Sequence, residues 1–414
     1  MNNSQKNLLR GLAEQVAEIA ALPIQKERIR LWKAMNRLQP ERPLVAVYPE
    51  RAWNELVPPA SLFCTDPLHR KWEYELRCTI YQHKYIPDDR PLHDQILIPY
   101  TIHCGDEGVT LEKIHSGSSG PEAVAFNPPI VNLEDCERLR VPEVTVDHED
   151  TMRKYEQACE VFDDILNVRI WGGQPWWSVG FGKLCKYRGL QQAMLDMYEN
   201  PDVLHRILSH IQAKQEHFMD VLEKEQVLSL NNDVVPVTSF MGSGHEAWTD
   251  ELPAEDYAGT ARWKDMWGLG EMQEFSNVGP DQFWEFSLQY QLPLLKRFGL
   301  VNYGCCEPLD SYYDMLMKHI PKLRRLSVTS PYASKEVAAE KLKNNYIFSW
   351  KPNPAPLAAK TVNWQDIRTG IRETLEIGED SCLEMVMKST ETFANDPDRI
   401  TTWVKTAFEE IQNE

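Results

Sequence analysis

The residues Val301-Asn302-Tyr303-Gly304-Cys305-Cys306-Glu307-Pro308 end an apolar run with two thiols, a carboxylate and a proline. An apolar lead-in followed by a helical pattern (Asp310, Tyr313, Met315, Leu316) predicts a β-to-α junction, where parallel α/β folds keep their active sites. Side chains two apart on a regular strand share a face, so Tyr303, Cys305 and Glu307 are expected to point one way and Cys306 the other. Thiolate with carboxylate or imidazole, and one position left open for substrate, is how a catalytic zinc is built. Cys305, Cys306 and Glu307 are therefore the candidate metal ligands. The competing explanation is that both cysteines are small buried hydrophobes, as free cysteines often are.

Other candidates sit at similar places. Glu271-Met272-Gln273-Glu274 follows a second apolar run and puts Glu271 and Gln273 on one face, suited to general acid–base work unless the segment is a solvated turn. Lys351 closes a further run, with Asn353 beyond it, and is the second catalytic candidate. Asn231 leads Asn231-Asn232-Asp233 after residues 227–230 and is a candidate for substrate contact, as is Tyr303. Trp176 and Trp177 follow Gly172-Gly173-Gln174-Pro175 in an expected loop, where flat aromatic faces sandwich an aromatic ring or attract a methylated cation. Packing the loop down is the plainer use of them. His103 and His245 are weaker, because a lone histidine is more often structural. The glycines near residue 172 lack the G-x-G-x-x-G spacing of a phosphate loop.

These residues need a scaffold that gathers strand ends. Apolar runs recur at 44–48, 96–102, 168–171, 227–230, 266–269, 300–303, 326–329, 346–350 and 383–387, and helical patterns separate most of them, as at 190–225, 281–298, 334–342 and 397–411. Strand–helix alternation implies a parallel sheet with right-handed crossovers, and a (β/α)8 TIM barrel is the economical reading. Nine runs are one more than a closed barrel needs. Residues 50–150, poor in periodicity, are expected to hold insertions. The amphipathic pattern over 5–38, interrupted at Pro23, predicts an N-terminal helical extension over residues 1–40, with the barrel over 41–414.

Composition closes off other classes. The chain has 414 residues, 42% hydrophobic and 26% charged, with a formal net charge of −18 and no basic run, which argues against a nucleic-acid surface. No segment of about 18 apolar residues exists to span a membrane. Arg10, Glu14 and Glu18 interrupt any leader-like apolar core, so a cytoplasmic protein is expected. Nine cysteines without a framework spacing fit reduced thiols better than disulfides.

From about residue 290 to 395 the order of segments resembles the uroporphyrinogen decarboxylase-like superfamily, particularly its corrinoid-dependent methyltransferase branch. Residues 300–307 are similar to that branch's strand bearing a His-x-Cys-Gly zinc motif, 326–330 to the short strand that follows, 346–354 to its Gly-Asn-Asp-Pro strand, and 383–390 to its last strand. Cys305 keeps the motif cysteine, whereas Tyr303 stands in the histidine's place and Ser389 or Thr390 in that of the final cysteine. Arg51-Ala-Trp53 and Cys305-Cys306-Glu307-Pro308 resemble members that demethylate methoxy-aromatics. The resemblance implies a barrel that moves a methyl group from a small methylated donor, with zinc as Lewis acid, to the corrinoid (cobalamin-type) cofactor of a separate protein, since the chain lacks the Asp-x-His-x-x-Gly signature of corrinoid-binding domains. Glu271 or Lys351 would then assist the departing oxygen. Porphyrinogen decarboxylation is the nearest competitor, but its arginine-rich first strand is here Val45-Ala46-Val47-Tyr48-Pro49-Glu50-Arg51, with one arginine. A ligand-binding barrel without chemistry is the third possibility.

Overall fold

The computed structural model describes residues 1–114, 125–172 and 180–413. Its strands are β1 (Leu44–Val47), β2 (Gln95–Pro99), β3 (Thr101–Cys104), β4 (Glu112–Ile114), β5 (Ala125–Asn127), β6 (Val144–Asp147), β7 (Asn167–Trp171), β8 (Trp267–Gly270), β9 (Leu300–Tyr303), β10 (Leu323–Thr329), β11 (Ile347–Lys351) and β12 (Cys382–Met387). Six of them form one sheet in the order β1-β12-β11-β10-β9-β8, with every pairing parallel. The first strand lies beside the last, as a barrel requires, and β2 and β7 make a separate parallel pair. The architecture is thus the expected α/β barrel type, but among the described residues the hydrogen-bonded ring stays open.

One gap falls where residues 227–230 were expected to form a strand. They make no ladder; instead the Asn231 carboxamide accepts from Trp267 N at 2.8 Å and donates to Trp267 O at 3.1 Å, taking over the backbone pairing at the edge of β8. Gly172 N, just after β7, donates to Ser229 Oγ at 2.9 Å on the other side. The second gap lies between β1 and β2, where Asp88 and Asp89 cover the free edge of β1 by accepting from Val47 N and Val45 N. The irregular region between β2 and β7 holds the expected insertion, as two antiparallel pairs, β3 with β6 and β4 with β5.

Period-2 alternation sorts the sheet into two faces. Val301, Tyr303, Leu326, Val328, Phe348, Trp350, Leu383, Met385 and Met387 join the apolar core under the outer helices. The interior face carries apolar residues such as Trp267, Leu269 and Val386, but also an unusual number of polar ones: Asn302, Arg325, Ser327, Ser349, Lys351, Glu384 and Lys388 are all buried. A chain segment from the long β7–β8 connection fills the space between them. Ser243 Oγ meets Ser327 Oγ at 2.7 Å, His245 Nε2 meets Asn302 Nδ2 at 2.9 Å, and Gly244 O accepts from Lys351 Nζ at 3.0 Å. The N-terminal helices Asn3–Ala20 and Pro23–Asn36 break at Pro23 as expected, since proline starts a helix well and interrupts one badly. Leu31, Trp32 and Met35 of the second pack on β1, Ile347 and Cys382, and Asn36 Oδ1 reaches Arg325 Nη2 at 2.8 Å.

Two glycines of β8 leave room for aromatic rings packed directly on the outer face of the sheet. A Cβ on Gly268 would lie 2.4 Å from the Phe298 ring, and one on Gly270 would lie 2.5 Å from the Tyr303 ring. Gly270→Ala should therefore cost about 1–3 kcal/mol, because the rigid ring of Tyr303 cannot yield without moving β9. Urea unfolding checks this, and an unchanged midpoint would mean the ring has room that the contact distances deny.

Candidate functional site

The inward parity of β8 (Trp267, Leu269) carries on to Glu271, which lines a cleft of about 490 Å3 together with Leu269, Val144, Pro142, Phe218, Lys183 and Lys214. Its carboxyl is pushed up to about 8, first by burial and then by the neighbouring Cys305 and Glu307. Gln273 Nε2 donates to Glu271 Oε2 at 2.8 Å, so the two side chains expected on one face do meet. Gln291 fixes the backbone from behind, donating to Glu271 O at 3.2 Å from a helix that carries a π turn at Trp284–Leu288. Such turns shift the register of a helix face and often accompany functional sites.

The β9 end is built by Gly304, whose φ of +89° belongs to a region that L side chains rarely adopt. It turns the chain so that Cys305 and Cys306 present their sulfur atoms 3.8 Å apart, both thiols half-buried. Lys388, 4% exposed at the end of β12, donates from Nζ to Cys305 Sγ at 2.9 Å. Cys306 Sγ lies 4.0 Å from Ser389 Oγ. The two thiols share a proton: Cys306 is drawn down to about 6 by the hydrogen bond of its neighbour and by the Lys388 charge, while Cys305 is pushed up. One thiolate beside one ammonium is the ionic state this arrangement favours. Ser389 holds a left-handed φ of +58°, a strain of about 1–3 kcal/mol, and its N–H donates to Glu50.

Glu307 sits differently from the metal-ligand role expected of it. It is 1% exposed and its two oxygens accept from Met272 N at 3.0 Å and Cys305 N at 2.9 Å, which ties the β8 end to the β9 end. Two sulfurs about 3.8 Å apart could share one tetrahedral zinc with bonds of about 2.3 Å. The remaining donors do not follow. Glu307 is spent on backbone amides, the Lys388 ammonium stands against Cys305, and among the described residues no three His, Cys, Asp or Glu side chains are grouped to hold an ion. The residues as placed do not fit zinc.

Lys351 is 2% exposed and donates to Gly244 O and Ser349 Oγ, below the thiols; burial above all pulls it to about 7, with Lys388 and Arg325 adding and Glu384 opposing. Asn231 and Tyr303, both expected to touch substrate, are fully buried, Asn231 on the edge of β8 and Tyr303 against Phe283 of the outer layer. Trp176 and Trp177 lie outside the described residues. Arg51, the arginine left at the place where the decarboxylase pattern needs a cluster, is exposed and paired with Glu391 at 3.0 Å.

Sequence reasoning gave no role to Lys388, and it passed over Glu107, Lys183 and Lys214. The signal for Lys388 was available, because it follows the apolar run of β12 as Glu271 follows that of β8. No family model and no curated relative matches this sequence. Among solved structures, a methyltransferase from Methanosarcina mazei is similar over 93% of this chain and 98% of that chain, at 12% identity and a TM-score of 0.49. At that identity and score the likeness bears on neither family nor activity. No helix among the described residues is long and apolar enough to cross a membrane.

Proposed function

We propose that this chain is a methyltransferase that takes a methyl group from a small methoxy-aromatic donor and delivers it to the corrinoid of a separate protein docked over the strand ends. The observation that carries the reading is the pairing, at one end of the sheet, of a half-buried carboxyl that keeps its proton to about pH 8 with a thiol pair that readily loses one. Demethylating an ether means expelling an alkoxide or phenoxide, and a neutral acid within reach of that oxygen is the group that makes it leave. Glu271 meets this need on a cleft with room for an aromatic ring, where Pro142, Val144, Phe218 and Leu269 supply apolar surface among charged neighbours. The polarisable sulfur pair suits the neighbourhood of a methyl group in flight between two nucleophiles. The segment resemblance supports the same class of chemistry.

Zinc assistance is implied by that resemblance, while the arrangement of Glu307 and Lys388 opposes it. Leaving-group activation is accordingly assigned here to Glu271. The test combines the protein, a reduced corrinoid protein and a panel of methoxyarenes and methylamines, with elemental analysis of wild type and Cys305→Ala. Phenol release without stoichiometric metal is the expected result. About one zinc per chain, lost in Cys305→Ala, would instead restore the metal-assisted version. Demethylation of a quaternary amine with every methoxyarene untouched would overturn the donor class.

A further inference from the structure

The cleft that ends on Glu271 carries a group of charges that the methyl-transfer reading does not use. Lys183 opens the helix Lys183–Arg188, and Lys214 lies on the helix Pro201–Lys224 with 7% exposure. Both ammonium groups turn to the same oxygen of Glu107, Nζ of Lys183 at 2.8 Å and Nζ of Lys214 at 3.2 Å from Oε1, while the Tyr187 hydroxyl donates to Oε2. One carboxylate therefore serves two cations and a hydroxyl.

The imbalance is not relieved by proton loss from the wrong partner. Glu107 is held near 2, and Lys214 is pulled to about 8, first by burial and then by Lys183. Among the described residues, the other charged groups on this wall, Lys186 and Glu274, are of opposite sign. A surplus ammonium this well buried is costly to keep, and an incoming anion is the natural way to offset it, the local pair of cations overriding the repulsion of a chain of net charge −18. Pro142, Val144, Phe218 and Leu269 supply apolar surface beside it, and Glu271 lines the same space.

We propose that Lys183 and Lys214 form an anion subsite that takes the carboxylate of an aromatic carboxylic acid, its ring against Phe218 and Leu269 and its ether oxygen toward Glu271. A single surplus positive charge matches a monoanion better than a phosphate dianion. What then happens at Glu271 rests on the methyl-transfer reading, whereas the binding step does not.

The experiment is isothermal titration of the full-length protein at pH 7 with 4-methoxybenzoate, its neutral isostere 4-methoxybenzamide, and inorganic phosphate. The acid should bind at least about tenfold more tightly than the amide, as charge-assisted contacts do. Lys214→Met should erase that preference without weakening the amide. Lys183→Met, at a more exposed position that folding tolerates, should reduce it in the same direction. Equal affinity for acid and amide, no heat from either at millimolar concentration, or phosphate binding more tightly than the acid would each overturn the proposal. If the acid binds with the expected preference but no phenol forms with a reduced corrinoid protein, the subsite stands and the methyl-transfer reading falls.

Discussion

Glu384→Gln should lower the folding stability of this protein by about 3–5 kcal/mol, the cost of leaving a buried charge without its partner. Arg325 and Glu384 are both completely buried in the sheet interior, joined by two parallel hydrogen bonds of 2.8 and 2.9 Å. Asn302 Oδ1 at 3.1 Å and Asn36 Oδ1 at 2.8 Å take two of the remaining guanidinium protons, and Ser349 donates to Glu384. The pair thus links the N-terminal helices to β9, β10, β11 and β12. A neutral carboxamide keeps some of the hydrogen bonding but none of the charge, in a place that water does not reach. The double variant Arg325→Met with Glu384→Leu should recover most of the loss, because paired apolar groups of similar size avoid the desolvation of both ions. Urea unfolding of the three proteins checks it. Equal losses in the single and double variants would show that the cost comes from packing and not from the orphaned charge.

Glu271→Gln should reduce turnover by about 10²–10⁴-fold, the usual worth of a positioned general acid. The wild-type rate should fall as pH rises through about 8, where Glu271 gives up its proton. The Gln variant should keep its low rate unchanged across that range. The stability effect runs in the same direction with pH. A carboxyl whose folded pKa is raised above its unfolded value stabilises the fold below the unfolded pKa, and that contribution is lost as pH climbs toward the folded one. At pH 8 and above the Gln variant, which has no proton to lose, should therefore be at least as stable as the wild type. Fast activity with unaltered pH dependence in Glu271→Gln would remove this residue from the mechanism.

Much of the scaffold was legible in order and spacing. The apolar runs at 44–48, 266–269, 300–303, 326–329, 346–350 and 383–387 are the cores of the six parallel strands, because a strand buried under helices must be apolar over most of its length. The run at 227–230 misled, since apolar character states that a segment is buried and not that its backbone pairs. There the Asn231 side chain does the pairing.

The candidate site was legible only as a set of addresses. Strand ends of a parallel sheet share one face, so Glu271, Cys305, Cys306 and Lys388 could be placed together by counting from apolar runs. Where each side chain points could not be counted. Two-residue alternation ends where the strand ends, and at Gly304 the chain turns with a positive φ, so Glu307 swings to the Met272 and Cys305 amides while the two thiols remain neighbours.

By itself, then, the sequence determined the strand order's raw material, the break at Pro23 and the strand-end location of the thiols and of Glu271, because periodicity and helix-start chemistry act over a few residues. Tertiary structure alone decided that Lys388 meets Cys305, that residues 243–245 fill the sheet interior, and that Lys183 and Lys214 converge on Glu107. The last contact joins residues 107 positions apart. A charge pair of that kind depends on distance in space and leaves no period in the chain for a reader to count.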